Sequence, residues 1–205
     1  DRWAVKTSRG TLTAKKVVIA TNAYTGNLWP GLRQTFTMIH FFQVATKPLG
    51  DRAAFILKER QGLWDTAPVM FSLRRDNFGR LIIGSMGADL GGLSRRWART
   101  NLKRLFPELG GVAFEESWHG QIAMTPDHLF RIHRLAEGLY TPVGYNGRGI
   151  TTGTMFGKAL ADLFTGASEV SLPVPVTDLK TVSLNSLKTG FFHTAFMASQ
   201  LIKSF

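Results

Sequence analysis

The chain has 205 residues, 44% hydrophobic and 19% charged, enough to bury a sizeable core in one domain or one and a half. No apolar run approaches the ~20 residues that span a bilayer, and the absence of cysteine excludes a disulfide framework, a thiolate nucleophile and a cysteine-bound zinc or iron–sulfur site. The formal charge of +11 admits nucleic-acid binding, yet the basic residues are spread out. They cluster only at Arg74-Arg75 and at Arg95, Arg96, Arg99, Lys103 and Arg104, with no groove-reading motif. No nucleic-acid partner is expected; the charge repels other copies, attracts anionic ligands or is balanced by missing sequence. A cysteine-free composition fits a reducing compartment, so a cytoplasmic protein is expected. The chain opens on Asp1-Arg2, without a methionine or a signal peptide, and enters a strand almost at once, as a fragment whose start has been cut away would.

Residues 3–7 and 11–13 read as two short strands joined at Arg9-Gly10. They lead into residues 15–21, KKVVIAT, a β-branched run suited to a strand buried on both faces. Such a strand needs parallel neighbours and crossover helices. None precedes it here, which places most of its sheet upstream of Asp1. Residues 36–47 form a long aromatic-rich strand, and residues 69–75 and 80–86 face each other across Asp76-Asn77-Phe78-Gly79, a hairpin signal. Ser94 is placed to cap a helix over 95–106, with Trp97, Leu102, Leu105 and Phe106 on its apolar face and arginines on a solvated one; Pro107 stops it. A strand over 113–123 carries Trp118-His119-Gly120, and residues 130–133 follow a turn at Met124-Thr125-Pro126-Asp127. The chain ends in an amphipathic helix over 191–202.

The stretch from Thr141 to Gly166 organises the rest. A strand over 139–143 runs into a turn studded with Gly144, Gly147 and Gly149, then a helix over about 150–164. Glycines at that spacing let the backbone pass through positive φ and let a flat ligand approach the main chain. The Thr151, Thr152 and Thr154 hydroxyls and the first-turn N–H groups face the mouth, where a helix N-terminus favours an anion. An ordinary strand–turn–helix reads the same way. The summed pattern is one βαβ-type sheet edge, an antiparallel sheet of about four to six strands and a helix returning to the first region, an α+β arrangement.

Three segments carry a resemblance. VVIATNA, ending at Thr21-Asn22-Ala23, resembles the Ala-Thr-Gly strand end of two-dinucleotide-binding flavoproteins, with Asn22 replacing the usual glycine. Trp118-x-Gly120 followed by Thr125-Pro126-Asp127 is similar to the segment of FAD-dependent amine and amino-acid oxidases that runs beside the flavin ring. The turn Gly144-Tyr145-Asn146-Gly147-Arg148-Gly149-Ile150 is similar to their late glycine loop and flavin-facing helix. In order and spacing the three resemble the C-terminal part of the D-amino-acid oxidase superfamily, and most of all its gamma-glutamylputrescine oxidoreductase branch and the glycine–sarcosine oxidase-like enzymes.

The resemblance implies an antiparallel substrate-domain sheet docked on the C-terminal part of an FAD-binding, Rossmann-like α/β domain whose nucleotide-binding half is missing. Its implied segments are residues 1–34 and 144–166 of the FAD-binding domain, a substrate domain over 35–143 and a tail over 167–205. It implies non-covalent FAD, since the family's cysteinyl link has no residue to form it, with cofactor contacts at Thr21, Asn22, Ala23, Trp118, Gly120, Gly147, Arg148, Gly149, Ile150, Thr151 and Thr152. Ile122, Tyr145 and Arg148 are the implied substrate residues, and Arg148, against the flavin edge or a carboxylate, is the one candidate catalytic side chain. A solvent-facing Arg148 is the alternative. Ile122 stands where relatives acting on free amino acids carry a carboxylate-clamping arginine, and Thr151 where sarcosine oxidases carry a lysine. Losing both cations favours an amine or a longer N-acylated polyamine as substrate.

His119 admits either a flavin link or an ordinary hydrogen-bonded strand histidine. His40, His128, His133 and His193 read as scattered, so no metal is expected. The competing function is a non-catalytic basic binding or assembly domain that keeps the flavoprotein fold.

Overall fold

The computed structural model describes residues 2–204. Its elements run β1 (Trp3–Thr7), β2 (Gly10–Ala14), β3 (Val17–Val18), β4 (Thr37–Thr46), β5 (Leu63–Trp64), β6 (Phe71–Arg75), β7 (Leu81–Met86) and α1 (Gly92–Leu105). They continue as β8 (Phe114–Met124), β9 (Arg131–Ala136), β10 (Leu139–Val143), α2 (Gly149–Phe164), β11 (Val176–Thr177) and α3 (Asn185–Ile202). The fold is α+β, and the chain divides into two compact units, Asp1–Met38 with Ile122–Lys188, and Ile39–Gln121 with Thr189–Phe205.

The first unit is built on a mixed four-stranded sheet in the order β11-β9-β10-β3. β10 runs antiparallel to β9 and parallel to β3, which is the parallel pairing that the VVIAT run predicts. The run is not a doubly buried strand, however. Its ladder covers only Val17 and Val18, both half-buried, and Lys15 and Lys16 are exposed. Among the described residues β3 is the edge of this sheet, with β10 its one neighbour, while Ile19 just beyond the ladder is buried. Thr141 extends the attachment by donating its hydroxyl to the Ile19 carbonyl at 2.7 Å. The 16-residue α2 buries Phe156 and Leu160 on Ile132 and Tyr140, the expected use of an apolar helix stripe. Separately, Ile19, Leu32 and Leu139 pack with Trp3 and Trp29. The β1–β2 hairpin is antiparallel, and Trp3 Nε1 fastens it by donating to the Glu137 carbonyl at 3.0 Å.

In the second unit a five-stranded sheet in the order β5-β6-β7-β4-β8 is antiparallel across β5/β6, β6/β7 and β7/β4. Phe42, Phe71, Leu73, Leu81 and Ile83 form its core with Trp97, Ala98 and Leu102 of α1, and Phe42 meets Trp97 edge-on at 5.2 Å between ring centroids. The predicted cap at Ser94 is displaced. α1 starts earlier, after Gly91 at φ 60, and Ser94 is a buried residue of its first turn. Its Oγ reaches back to accept from Leu90 N and also accepts from Gln200 Nε2, each at 2.8 Å. The terminal helix likewise begins at Asn185 rather than 191.

Two of the histidines that read as scattered meet in this unit. His40 on β4 and His193 on α3 stand edge to face with ring centroids 5.9 Å apart. Burial, then the His193 and His119 charges, hold the His40 pKa below its ordinary 6.5. A lowered native value means that the unfolded chain takes the proton first. The contribution is therefore present above the ordinary value and lost as the pH falls towards the lowered one. The urea midpoint should drop as pH falls from about 7 to about 5, and His40→Gln should flatten that drop. An unchanged slope in the variant would assign it to other groups. Among the described residues no group of three or more His, Cys, Asp or Glu side chains is arranged to hold a metal, and no helix is long and apolar enough to cross a membrane.

Candidate functional site

The predicted strand–turn–helix stands over the predicted residues, as β10, a turn and α2. Gly144 (φ 77), Asn146 (φ 52) and Gly147 (φ 83) all lie in the left-handed region, which glycine occupies freely and asparagine tolerates. Asn22, also left-handed at φ 44, accepts from Gly144 N through Oδ1 at 3.1 Å. That bond sets Thr21-Asn22-Ala23 beside the glycine turn, so the first and third predicted segments are brought together. Ala23 is buried with Phe36, Ala123 and Val143. Thr21 Oγ1 is buried and has no partner.

Asn146 is the residue that sequence reasoning missed. Its Oδ1 accepts from Thr125 N at 2.8 Å and lies 3.1 Å from Thr125 Oγ1, its Nδ2 donates to Gly144 O, and its own N–H donates to Ala123 O. This pins the glycine turn to the Thr125-Pro126-Asp127 turn. The Asn-Gly dipeptide signals a turn, but nothing local announces a partner so far away in sequence.

Arg148 precedes α2 and supplies no side-chain cap; the bond entering the helix is Thr152 N to Arg148 O, at 3.4 Å. Its guanidinium donates to the His128 carbonyl at 2.8 Å and lies 4.7 Å from the centre of the Phe130 ring. The side chain is exposed yet held back on the 128–130 turn. Thr152 is buried, Thr151 exposed, and Ile150 is 88% exposed, an apolar residue left in solvent at the helix mouth. Tyr145 lies under the first turn, where a Cβ on Gly149 would stand 3.4 Å from its Cδ2 and one on Gly153 3.7 Å from its Cε2. The two glycines thus let the ring and helix backbone close up. Burial raises the Tyr145 pKa. Ile122 is half-buried, its Cδ1 3.7 Å from where a Gly147 Cβ would be. Trp118 and Gly120 lie on β8 in the other unit, Trp118 exposed and Gly120 buried, with His119 exposed between them.

The DAO family model, described as FAD dependent oxidoreductase, matches residues 1–163. The chain belongs to the FAD dependent oxidoreductase (DAO) family. It is 29% identical over 167 residues to the probable oxidoreductase OrdL of Rhizobium meliloti, covering 80% of this chain and 39% of that protein. It is 28% identical over 170 residues to the gamma-glutamylputrescine oxidoreductase of Escherichia coli, covering 80% and 40%. Among solved structures, L-proline dehydrogenase from P. horikoshii shares the fold, with a TM-score of 0.62 at 23% identity over 83% of this chain and 48% of that one. The chain thus spans about two fifths of the length of these curated relatives.

Family membership implies FAD, and the residues present fit it on one observation. The buried Thr21 hydroxyl has no partner, and α2 starts without a side-chain cap. Both are polar groups that an external acceptor would satisfy.

Proposed function

We propose that this chain is part of an FAD-dependent enzyme that oxidises an amine or N-substituted amino compound, with gamma-glutamylputrescine-like polyamines the favoured class. The supporting observation is the family match, which runs through the glycine turn and along α2 as far as residue 163. FAD supplies the redox chemistry when bound, accepting hydride from the carbon that bears nitrogen, and the protein supplies orientation and electrostatics. Thr21, Asn22 and Ala23 with Gly147, Arg148, Gly149, Ile150, Thr151 and Thr152 would hold the cofactor, and Trp118 and Gly120 are the further contacts that the family resemblance implies. The N–H groups that open α2 would stabilise negative charge at the cofactor's edge. Ile122, Tyr145 and Arg148 would face substrate. An upstream half would supply the main nucleotide anchor, and the five-stranded sheet within residues 35–143 the substrate domain.

Purified together with that upstream half, the protein should be yellow, and an amine substrate should bleach it anaerobically. Gly149 is not in the left-handed region, so a bulky residue there tests close approach rather than backbone strain. Gly149→Phe should slow bleaching by about 100-fold or more while the fold survives. A colourless protein that rejects added FAD would instead indicate a non-catalytic binding domain.

A further inference from the structure

In the second unit, α1 and the part of α3 from Thr189 onward carry no acidic residue. On α1, Arg96, Arg99 and Lys103 recur at helical spacing and are exposed, which makes one basic stripe, and Arg104 is exposed beside it. Arg95 has a counter-charge in Asp89. Arg99, Lys103 and Arg104 take part in none of the ion pairs among the described residues. Arg99 lies over the Phe114 ring, 5.9 Å from its centre, and Arg104 donates to Asn101 Oδ1 at 3.1 Å. Neither contact cancels the charge.

α3 adds an apolar row. It turns Phe196 and Gln200 inward, both buried, and Phe191, Ala198 and Ile202 follow one another at helical spacing on the opposite face. All three are exposed, Phe191 at 68% and Ile202 at 77%, and Leu201, also exposed, widens the row. The stripe and the row meet at the end of α3. There Gln200 Nε2 donates to Ser94 Oγ at 2.8 Å, and Arg96 Nε donates to the Ser204 carbonyl at 3.1 Å, just after Ile202 and Lys203 in the chain. Large apolar side chains exposed together beside a charged rim mark an interaction surface, and charge chooses the occupant. A second copy docked on the row would bring two basic stripes together, in a chain of net charge +11. A nucleic-acid backbone would use the cations and leave the row in water. An anionic lipid surface uses both, since its headgroups attract the stripe and the acyl boundary takes up the apolar side chains.

We propose that this face of the second unit docks on an anionic membrane surface, with Phe191 and Ile202 in the acyl boundary and Arg96, Arg99 and Lys103 on the headgroups. Docking of this kind needs no flavin, so its failure would leave the oxidoreductase reading standing. The 205-residue chain, alone and joined to the upstream half, is sedimented with phosphatidylglycerol vesicles and with phosphatidylcholine vesicles. Binding to phosphatidylglycerol only is expected in both forms, weakening as salt screens the headgroups. Phe191→Ser/Ile202→Ser should weaken it about tenfold or more through loss of inserted apolar surface. Arg99→Gln/Lys103→Gln should also weaken it about tenfold or more, through loss of headgroup attraction. The four replaced side chains are exposed, and thermal melts establish that each variant is folded. No binding to phosphatidylglycerol, equal binding to phosphatidylcholine, or parent affinity in either folded pair overturns the proposal. Binding by the chain alone that vanishes once the upstream half is joined also overturns it, because that half would then cover the face. A dimer that Phe191→Ser/Ile202→Ser dissolves, and that binds no vesicles, would assign the face to a second copy instead.

Discussion

Gly144→Ala should destabilise the first unit by about 3 kcal/mol, lowering its melting temperature by roughly 10 °C. Two costs add. At φ 77 an L-residue pays about 1–2 kcal/mol for the left-handed backbone. The new Cβ would also stand 2.4 Å from Thr125 Cγ2, an overlap that repacking meets at about 1–3 kcal/mol. Thr125 has little room to yield. It is buried, its Oγ1 donates to Leu129 O at 2.8 Å, and its N–H donates to Asn146 Oδ1. Thr125→Ser removes the offending methyl and keeps the hydroxyl. The pair Gly144→Ala/Thr125→Ser should therefore recover about 1 kcal/mol or more relative to additivity, a coupling read directly from urea midpoints. If serine gave no relief, the close approach of the two turns would not be what requires glycine here.

The same turn shows how far the sequence can be read. β10 and α2 were legible because an apolar run bounded by glycines hands over to a helical period, and both signals are local. The β6–β7 hairpin was legible from Asp76-Asn77-Phe78-Gly79 for the same reason: Asp76 Oδ1 accepts from Phe78 N and Arg80 N, both at 2.9 Å, inside the turn itself. Non-local facts were not. Ser94 looks like a cap, but its place in the first turn is set by Gln200, far along the chain. The VVIAT run has the composition of a central strand, yet which neighbours flank it decides burial, and composition carries no neighbours. Residues 185–190 are too polar to announce a helix, and Asn185 anchors its start by donating to Phe36 O at 2.9 Å. His40 and His193 meet only because β4 and α3 pack together. Family resemblance crossed this gap for family membership, since motif order survives where contacts cannot be read, but it assigned no role to Asn146.

Asn146 offers the sharper test of what holds the turn. Its amide orientation follows from its partners, because only Oδ1 towards Thr125 N and Nδ2 towards Gly144 O satisfies both. Asn146→Ala leaves a buried N–H and a carbonyl unpaired and places alanine at a left-handed φ, so about 3 kcal/mol should be lost. Asn146→Gly loses the same bonds but regains the backbone freedom, and should cost about 1 kcal/mol less than alanine. Asn146→Asp keeps the acceptor for Thr125 and sets a carboxylate oxygen against the Gly144 carbonyl in place of a donor. Its cost should therefore respond to pH, easing as acid protonates the new carboxyl and returns a donor to that carbonyl. Equilibrium unfolding ranks the three, and an alanine no worse than glycine would show that φ at this position is unconstrained. The same variants separate fold from chemistry under the oxidoreductase reading. A turn loosened at Asn146 lets the start of α2 drift, so flavin bleaching should fall in the order of lost stability even in protein that remains folded. Bleaching at the parent rate in folded Asn146→Ala would mean that the helix start is positioned by something other than its tie to Thr125.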